Sequence, residues 1–315
     1  LKEDIRLYFL SYLFGENMQN PATFVPPQQQ TQIPANPLTM FMRQPKFYIN
    51  LPSGGEYWPA GSIQMPEDGN IPVYSMTAKD ELLLNVPDAL MNGQAVVDVI
   101  QNCIPCIKNA WQIPNIDMDA ILIGIRIASY GEMMTTPIKI SEDIEYDYKV
   151  DLRTILINLL NNVKWDPVIP VNSDMTVFVR PLNYKQVTEG AIQAYETQKI
   201  IQLSNNDSID EDTKMKLFKD SFTKLTESTI GTISNSISKI DTSQGSTDNP
   251  RFIREFVNNA DKEIFKMIQD HLEKLKEQNT IKPIVVPVTD EMHEQGITGD
   301  TIEIPLIFDS STFFA

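Results

Sequence analysis

A chain of 315 residues, 42% hydrophobic and 9% aromatic, has room for one large or two ordinary domains and for a substantial core. Its formal net charge of −16, with Lys and Arg scattered along the sequence, repels phosphates and anionic headgroups and argues against nucleic-acid and membrane partners. Two cysteines make no disulfide framework and fit a reducing compartment, and no apolar run reaches the roughly 18 residues that span a bilayer; the most apolar stretch, 120–128, is interrupted by Arg126.

Residues 1–16 read as a short helix or strand-like anchor, apolar through Leu7-Tyr-Phe-Leu-Ser-Tyr-Leu-Phe14. Acidic residues precede that run and no small-residue cleavage site follows, so it is not read as a secretion signal. Leu1 is not an initiator, which leaves the natural start open. From Asn20 to Pro37, five prolines surround Gln28-Gln29-Gln30, a composition that favours extended polyproline-like geometry. An apolar tip on such a tether is either a partner-docking arm or a tail folded back on its own domain.

A first domain is expected over 40–166. Phe47-Tyr48-Ile49, the turn Leu51-Pro-Ser-Gly-Gly55 and the aromatic pair Tyr57-Trp58 have the grammar of a β-hairpin, with two glycines free to take positive φ. No helix with Lys-Ser/Thr follows them, so this is not a phosphate loop. Thr77 predicts the cap of a helix over Lys79–Asn85, with Asp80 in its first turn and Pro87 as its stop. Asn92-Gly93 breaks the chain. Gln94–Ile107 then predicts a helix with Ala95, Val96, Val99, Ile100 and Cys103 on one face. Ile121–Ala128 reads as a buried helix, preceded by Asp117 and Asp119 and ended by Gly131. Pro137–Ile140 and Ile144–Val150 alternate like a hairpin, and Leu152–Val163 is helical again.

Val168-Ile169 and Met175–Arg180 read as strands. Three helical segments follow over 182–280. Val187, Ala191, Tyr195 and Ile201 mark the first stripe; Met215, Phe218, Phe222, Leu225, Thr229, Ile233, Ile237 and Ile240 mark the second. The third is capped by Asn249, with Pro250 at its first position and Ile253, Phe256, Ala260, Ile264, Met267 and Leu275 as its stripe. Each stripe is narrow and is expected to bury against a neighbour. The second helix, at about 30 residues, would extend about 45 Å. Its connectors, Asn205–Asp212 and Asp241–Asn249, read as Ser/Asn/Asp-rich turns. Ile284–Val288 and Thr301–Phe308 return to strands, and the segments 137–152 and 283–309 are alike enough to suggest a weak internal repeat. The fold class is α+β: a small mixed β platform with packed helices and an inserted antiparallel helical bundle or hairpin. The organisation is an arm and linker over 1–39, an α+β core over 40–166, β elements at 167–181 and 281–315 completing the platform, and a helical insertion over 182–280.

Cys103-Ile-Pro-Cys106 resembles a redox pair, yet it falls at a helix C-terminus, where the dipole disfavours a thiolate. As half a zinc site it would need two more ligands, and the chain offers only His271, a solvated position in the third helix, and His293 in the last turn. The pair is therefore read as structural. Asn206–Asp212 lacks the glycine and distal glutamate of a calcium loop and reads as helix capping. Asp117 with Asp119, and Glu142-Asp143, look like ordinary pairs on an acidic surface. No catalytic, cofactor-binding or metal residues are assigned. Aromatics are common interface anchors, so Phe41, Phe47, Tyr57, Trp58, Phe313 and Phe314 are the candidate partner contacts. The terminal Phe-Phe pair buries either on its own domain or on a neighbour.

Phe47–Gly55, Ser75-Met-Thr-Ala-Lys-Asp-Glu-Leu-Leu-Leu84, Leu90-Met-Asn-Gly-Gln-Ala-Val96 and Asp119–Gly131 resemble the baseplate hub family of T4-like contractile-tailed bacteriophages; Pro305–Phe314 resembles it less closely. The resemblance covers roughly 40–165. Relatives carry paired cysteines in hairpins equivalent to 137–150 and 284–304, in the manner of zinc ribbons; here Ser141, Glu142, Asp290 and Glu291 stand in those turns, so no metal is carried over. The resemblance implies a non-enzymatic structural component of a virion baseplate hub, assembled in the host cytoplasm as a late protein. Its partners would be other hub and tail proteins, the tape-measure protein among the candidates, with several copies in a symmetric assembly. The alternative is a hub-assembly chaperone that is absent from the mature virion.

Overall fold

A computed structural model of the chain describes residue 38 and residues 42–86, 92–139, 145–204, 210–294 and 299–304. The chain divides after Met42 into two units. The expected arm and linker, Phe41, the turn at Pro87, most of the 205–212 connector and the terminal Phe313 and Phe314 lie outside the described residues. From Arg43 onward the chain is an α+β arrangement of helices and small antiparallel sheets.

Strand β1 (Pro45–Ile49) pairs antiparallel with β2 (Ile71–Tyr74), Ile49 opposite Ile71. The expected partner of β1 was Tyr57-Trp58. Those residues instead lie in a run of turns over 52–57 and just beyond it, because Trp58 has a buried hydrogen-bond acceptor elsewhere. The two glycines do take positive φ, 63° at Gly54 and 89° at Gly55. Helix α1 (Ala78–Leu84) starts from a full capping box: Thr77 accepts from the Asp80 backbone and the Asp80 carboxylate accepts in return from the Thr77 N–H at 2.7 Å. Helix α2 (Gln94–Cys103) buries all five residues of its expected face and Val97 besides.

Helix α3 (Asn115–Tyr130) is apolar on nearly every side and correspondingly enclosed: Ala120, Ile121, Ile123 and Ile125 are fully buried. Each such isoleucine contributes roughly 1.5–3 kcal/mol on leaving water. It packs on β1, β2, α2 and α4 (Leu152–Asn162). Strands β3 (Met133–Lys139) and β4 (Glu145–Asp151) form the expected hairpin before α4, whose first turn is capped by Asp151.

A second core lies under a four-stranded antiparallel sheet of order β5-β6-β7-β8. Its strands are Val168–Asn172, Met175–Val179, Ile237–Thr242 and Gly245–Thr247. Helix α5 (Tyr184–Ser204) runs out and α6 (Glu211–Ser236) returns, packed against it. At 26 residues α6 is shorter than expected and spans about 39 Å. Ile237 and Ile240, expected to prolong it, are strand residues facing Val179 and Val177 of β6. A three-residue step suits a helix face equally well; the free edge of β6 decides in favour of the strand. The region 182–280 is therefore not wholly helical. Its third helix also breaks in two at Ala260-Asp261, giving α7 (Pro250–Asn259) and α8 (Lys262–Asn279); Asn249 caps α7 as expected. Ile253, Val257, Ile268 and Leu275 are the buried residues, while Met267 is exposed.

Strands β9 (Ile284–Pro287) and β10 (Thr301–Ile304) flank the short helix α9 (Asp290–Glu294) and, among the described residues, pair with each other. They pack Val286 and Ile304 against Tyr146 and Tyr148 of β4. Among the described residues the strands of this α+β fold form four antiparallel sheets, so its β platform is made of separate pieces.

The tightest spot in the first core is Gly124 of α3: a Cβ there would stand 2.6 Å from Ile49 Cγ2. Gly124→Ala is expected to lose roughly 1–3 kcal/mol by forcing α3 away from β1, although alanine is the better helix former. Thermal unfolding of the pair measures this. A variant as stable as the parent would show that the contact relaxes freely.

Candidate functional site

The first turn of α3 places Asp117, fully buried, where the helix dipole favours a negative charge. Its carboxylate accepts from the Ser53 N–H at 2.8 Å, from the Ser53 hydroxyl and from the Trp58 indole N–H at 2.7 Å. Burial pushes the carboxyl above its usual range, and these donors pull it partly back. Asp117 is no surface acid. Both oxygens already hold donors from the 53–58 loop, so it ties that loop to α3.

A second polar centre joins β1, α1 and α2. Arg43 donates to the Ser75 carbonyl at 2.6 Å and to Asn102 Oδ1 at 2.7 Å, while Asn102 donates to both oxygens of buried Asp80. Beside it, the thiol of Cys103 is pushed up to about 12, chiefly by burial and then by the Asp80 charge, which outweigh Arg43. Burial raises the Cys106 thiol as well. Protonated thiols at a helix end are poor nucleophiles and poor metal ligands. Among the described residues no three His, Cys, Asp or Glu side chains are grouped to hold a metal, and no helix is long and apolar enough to cross a membrane.

His271 is half-buried, not solvated as expected: its Nε2 donates to the Asp166 carbonyl at 3.0 Å and holds the 163–168 segment to α8. Asp210 caps α6 through the Thr213 N–H at 2.9 Å and its hydroxyl, as the capping reading of that stretch expects.

Of the aromatic residues singled out as contacts, Trp58 is buried in the first core. Phe47 is half-buried against that core, beneath the Arg153 guanidinium. Tyr57 is half-buried with its ring edge-on to Trp165 at 6.2 Å, bridging the two cores.

The exposed apolar residues lie elsewhere. On α6, Met215, Phe218, Phe222 and Leu225 are 73%, 42%, 64% and 39% exposed, and Tyr195 of α5 is exposed too. These stripes were expected to bury against neighbouring helices. The α5–α6 contact instead uses small and polar groups: Thr197 and Ser221 are buried, and Gly190, Gln193, Ser228, Gly231 and Thr232 line a polar cleft of about 450 Å³ between the helices. The step pattern signalled a sticky face; only the three-dimensional packing revealed that nothing described covers it.

A family model described as T4 bacteriophage base plate protein matches residues 42–299. No curated protein matches the chain, and no solved structure does.

Two substitutions check the polar ties. Asp117→Ala leaves the Ser53 and Trp58 donors unsatisfied in the core and is expected to cost about 3 kcal/mol in urea unfolding. Asp119, two residues on and half-buried, has its carboxyl pushed up to about 6 by burial alone. Its folded pKa exceeds the ordinary value of 3.8, so the folded state holds the proton more tightly than the unfolded chain does. Its contribution is therefore full below pH 3.8, declines as pH rises to about 6, and is absent above that. Asp119→Asn should raise the unfolding midpoint at pH 7 by the equivalent of at most about 3 kcal/mol and flatten the fall in stability between about pH 4 and pH 6. Equal midpoints at pH 7 would count against the burial of this charge.

Proposed function

Because the chain belongs to the T4 bacteriophage base plate protein family, we propose that it is a structural subunit of the baseplate hub of a contractile tail and acts by protein–protein contact. The observation that carries this reading is the extent of the family match, 42–299, which takes in both hydrophobic cores and the α5–α6 pair. The buried acids Asp117 and Asp80 are satisfied by hydrogen bonds inside the fold, and burial keeps the Cys103 thiol protonated, which suits a structural role. A chain with −16 net charge suits protein partners over nucleic acid or a lipid surface. The partners proposed are other hub and tail proteins, with the tape-measure protein one of them and several copies arranged symmetrically in the virion.

Quantitative mass spectrometry of purified tails tests the assignment. The expected result is the chain in fixed stoichiometry with the other baseplate proteins. Its presence only in assembly intermediates would replace the subunit reading with that of an assembly chaperone. Replacing Cys103 and Cys106 together by serine is expected to leave phage yield unchanged, and a collapse of yield with normal folding would reopen a thiol chemistry.

A further inference from the structure

Helix α6 has two different faces. Lys214, Leu217, Ser221, Ser228 and Gly231, three or four residues apart or a multiple of that, are less exposed and belong to the side packed on α5, while Ile233 and Ser236 are buried near the sheet. About a quarter-turn away, Met215, Phe218, Phe222 and Leu225 repeat at steps of three, four and three and stay in solvent. That is the seam spacing of a coiled coil. Four such side chains at these exposures leave on the order of 450 Å² of apolar surface in one strip, the size at which patches on monomers are often functional. It is about half of the roughly 800 Å² per partner that a free-standing complex buries, and it suits one helix laid lengthwise.

Charge selects the occupant. In the register of that seam the charged flanking residues are Lys214, 22% exposed and on the side toward α5, Lys219, and Asp212 one heptad before Lys219. Lys214 has an ion pair with Glu211 at 3.5 Å, but that glutamate is 90% exposed and screens it weakly. If two copies of α6 paired in parallel, Lys214 of one would face Lys219 of the other; paired antiparallel about the seam's centre, the two Lys219 side chains would meet. Both modes set like charges together at the lysine flanks. A foreign helix with acidic flanks meets attraction at the same positions. We propose that the outward strip of α6 is the seat of a helix from another baseplate protein, one with apolar residues at alternating three- and four-residue steps and Asp or Glu on either side. The partner's origin rests on the baseplate reading; the chemistry of the seat does not.

The test uses the purified full chain and two designed helical peptides of four heptads, both with leucine along the seam. One carries glutamate at every flanking position and the other lysine. Fluorescence anisotropy should find the acidic peptide bound at least about tenfold more tightly, with the difference shrinking at high salt. Phe222→Asp should weaken the acidic peptide by at least about tenfold while leaving the thermal midpoint unchanged, since Phe222 is exposed. Lys214→Glu with Lys219→Glu should reverse the order of the two peptides. Equal binding of both, binding of neither, or indifference to Phe222→Asp would overturn the proposal. So would a chain that dimerises in a concentration series and is made monomeric by Phe222→Asp, which would assign the strip to a second copy. A chain found in tails that ignores both peptides fails here alone; one that binds as expected but is missing from tails and their intermediates fails the baseplate reading alone.

Discussion

Residues 43–163 are arranged around one constraint: α3 is apolar on almost all sides and has to be covered on almost all of them. A two-stranded sheet covers one side only because Gly124 lets Ile49 approach the helix axis. Helices α2 and α4 cover others, and the loop between β1 and β2 folds over the helix start. An aromatic loop of that kind has little regular hydrogen bonding of its own. The buried carboxylate of Asp117 supplies an acceptor for its backbone and side chains at once. Placing a charge at that depth carries a desolvation cost, offset by three donors and a helix N-terminus.

The second core is joined to the first by backbone and ring contacts at several points, not by a continuous sheet. The Tyr184 N–H donates to the Ile113 carbonyl, and the Asn115 N–H donates to the Leu182 carbonyl, both at 2.8 Å. The Trp111 and Tyr184 rings stack at 5.5 Å. On the far side, Asn279 exchanges hydrogen bonds with the Lys164 backbone and His271 holds Asp166. These ties fix the beginning of α5, and the end of α6 is fixed by Ile233, Ser236 and the strand after it. The opposite turns of both helices carry the exposed residues. The pair is held at one end and presents its other end to solvent.

Local signals in the sequence located most elements because those signals have local causes. Thr77 and Asn249 cap, Asp210 caps, and the faces of α2 and α3 follow from helical spacing. What the sequence could not supply was the identity of each element's neighbour. Tyr57-Trp58 has strand composition, but Trp58 bonds to an acid 59 positions later. Asp117 looks like any surface carboxylate until the loop that caps it is in place. Ile237 and Ile240 continue a helical step pattern, and a free edge of β6, some sixty residues earlier, converts them to strand. The stripe on α6 was visible as a stripe; whether anything covered it depended on how α5 meets α6, along a cleft lined by polar and charged residues.

That last point separates the groups this fold uses internally from those it leaves available. Asp117, Asp80, Arg43, Asn102 and His271 all have geometry that a catalytic site might employ, yet each is satisfied by a neighbour whose position it helps to define. Cys103 is held protonated among them. The phenylalanines of α6 have the opposite character: at 42% and 64% exposed, they leave apolar surface in solvent. Among the described residues the polar groups are closed on one another while the α6 seam stays open beside Lys219, the surface on which the proposed helix would seat.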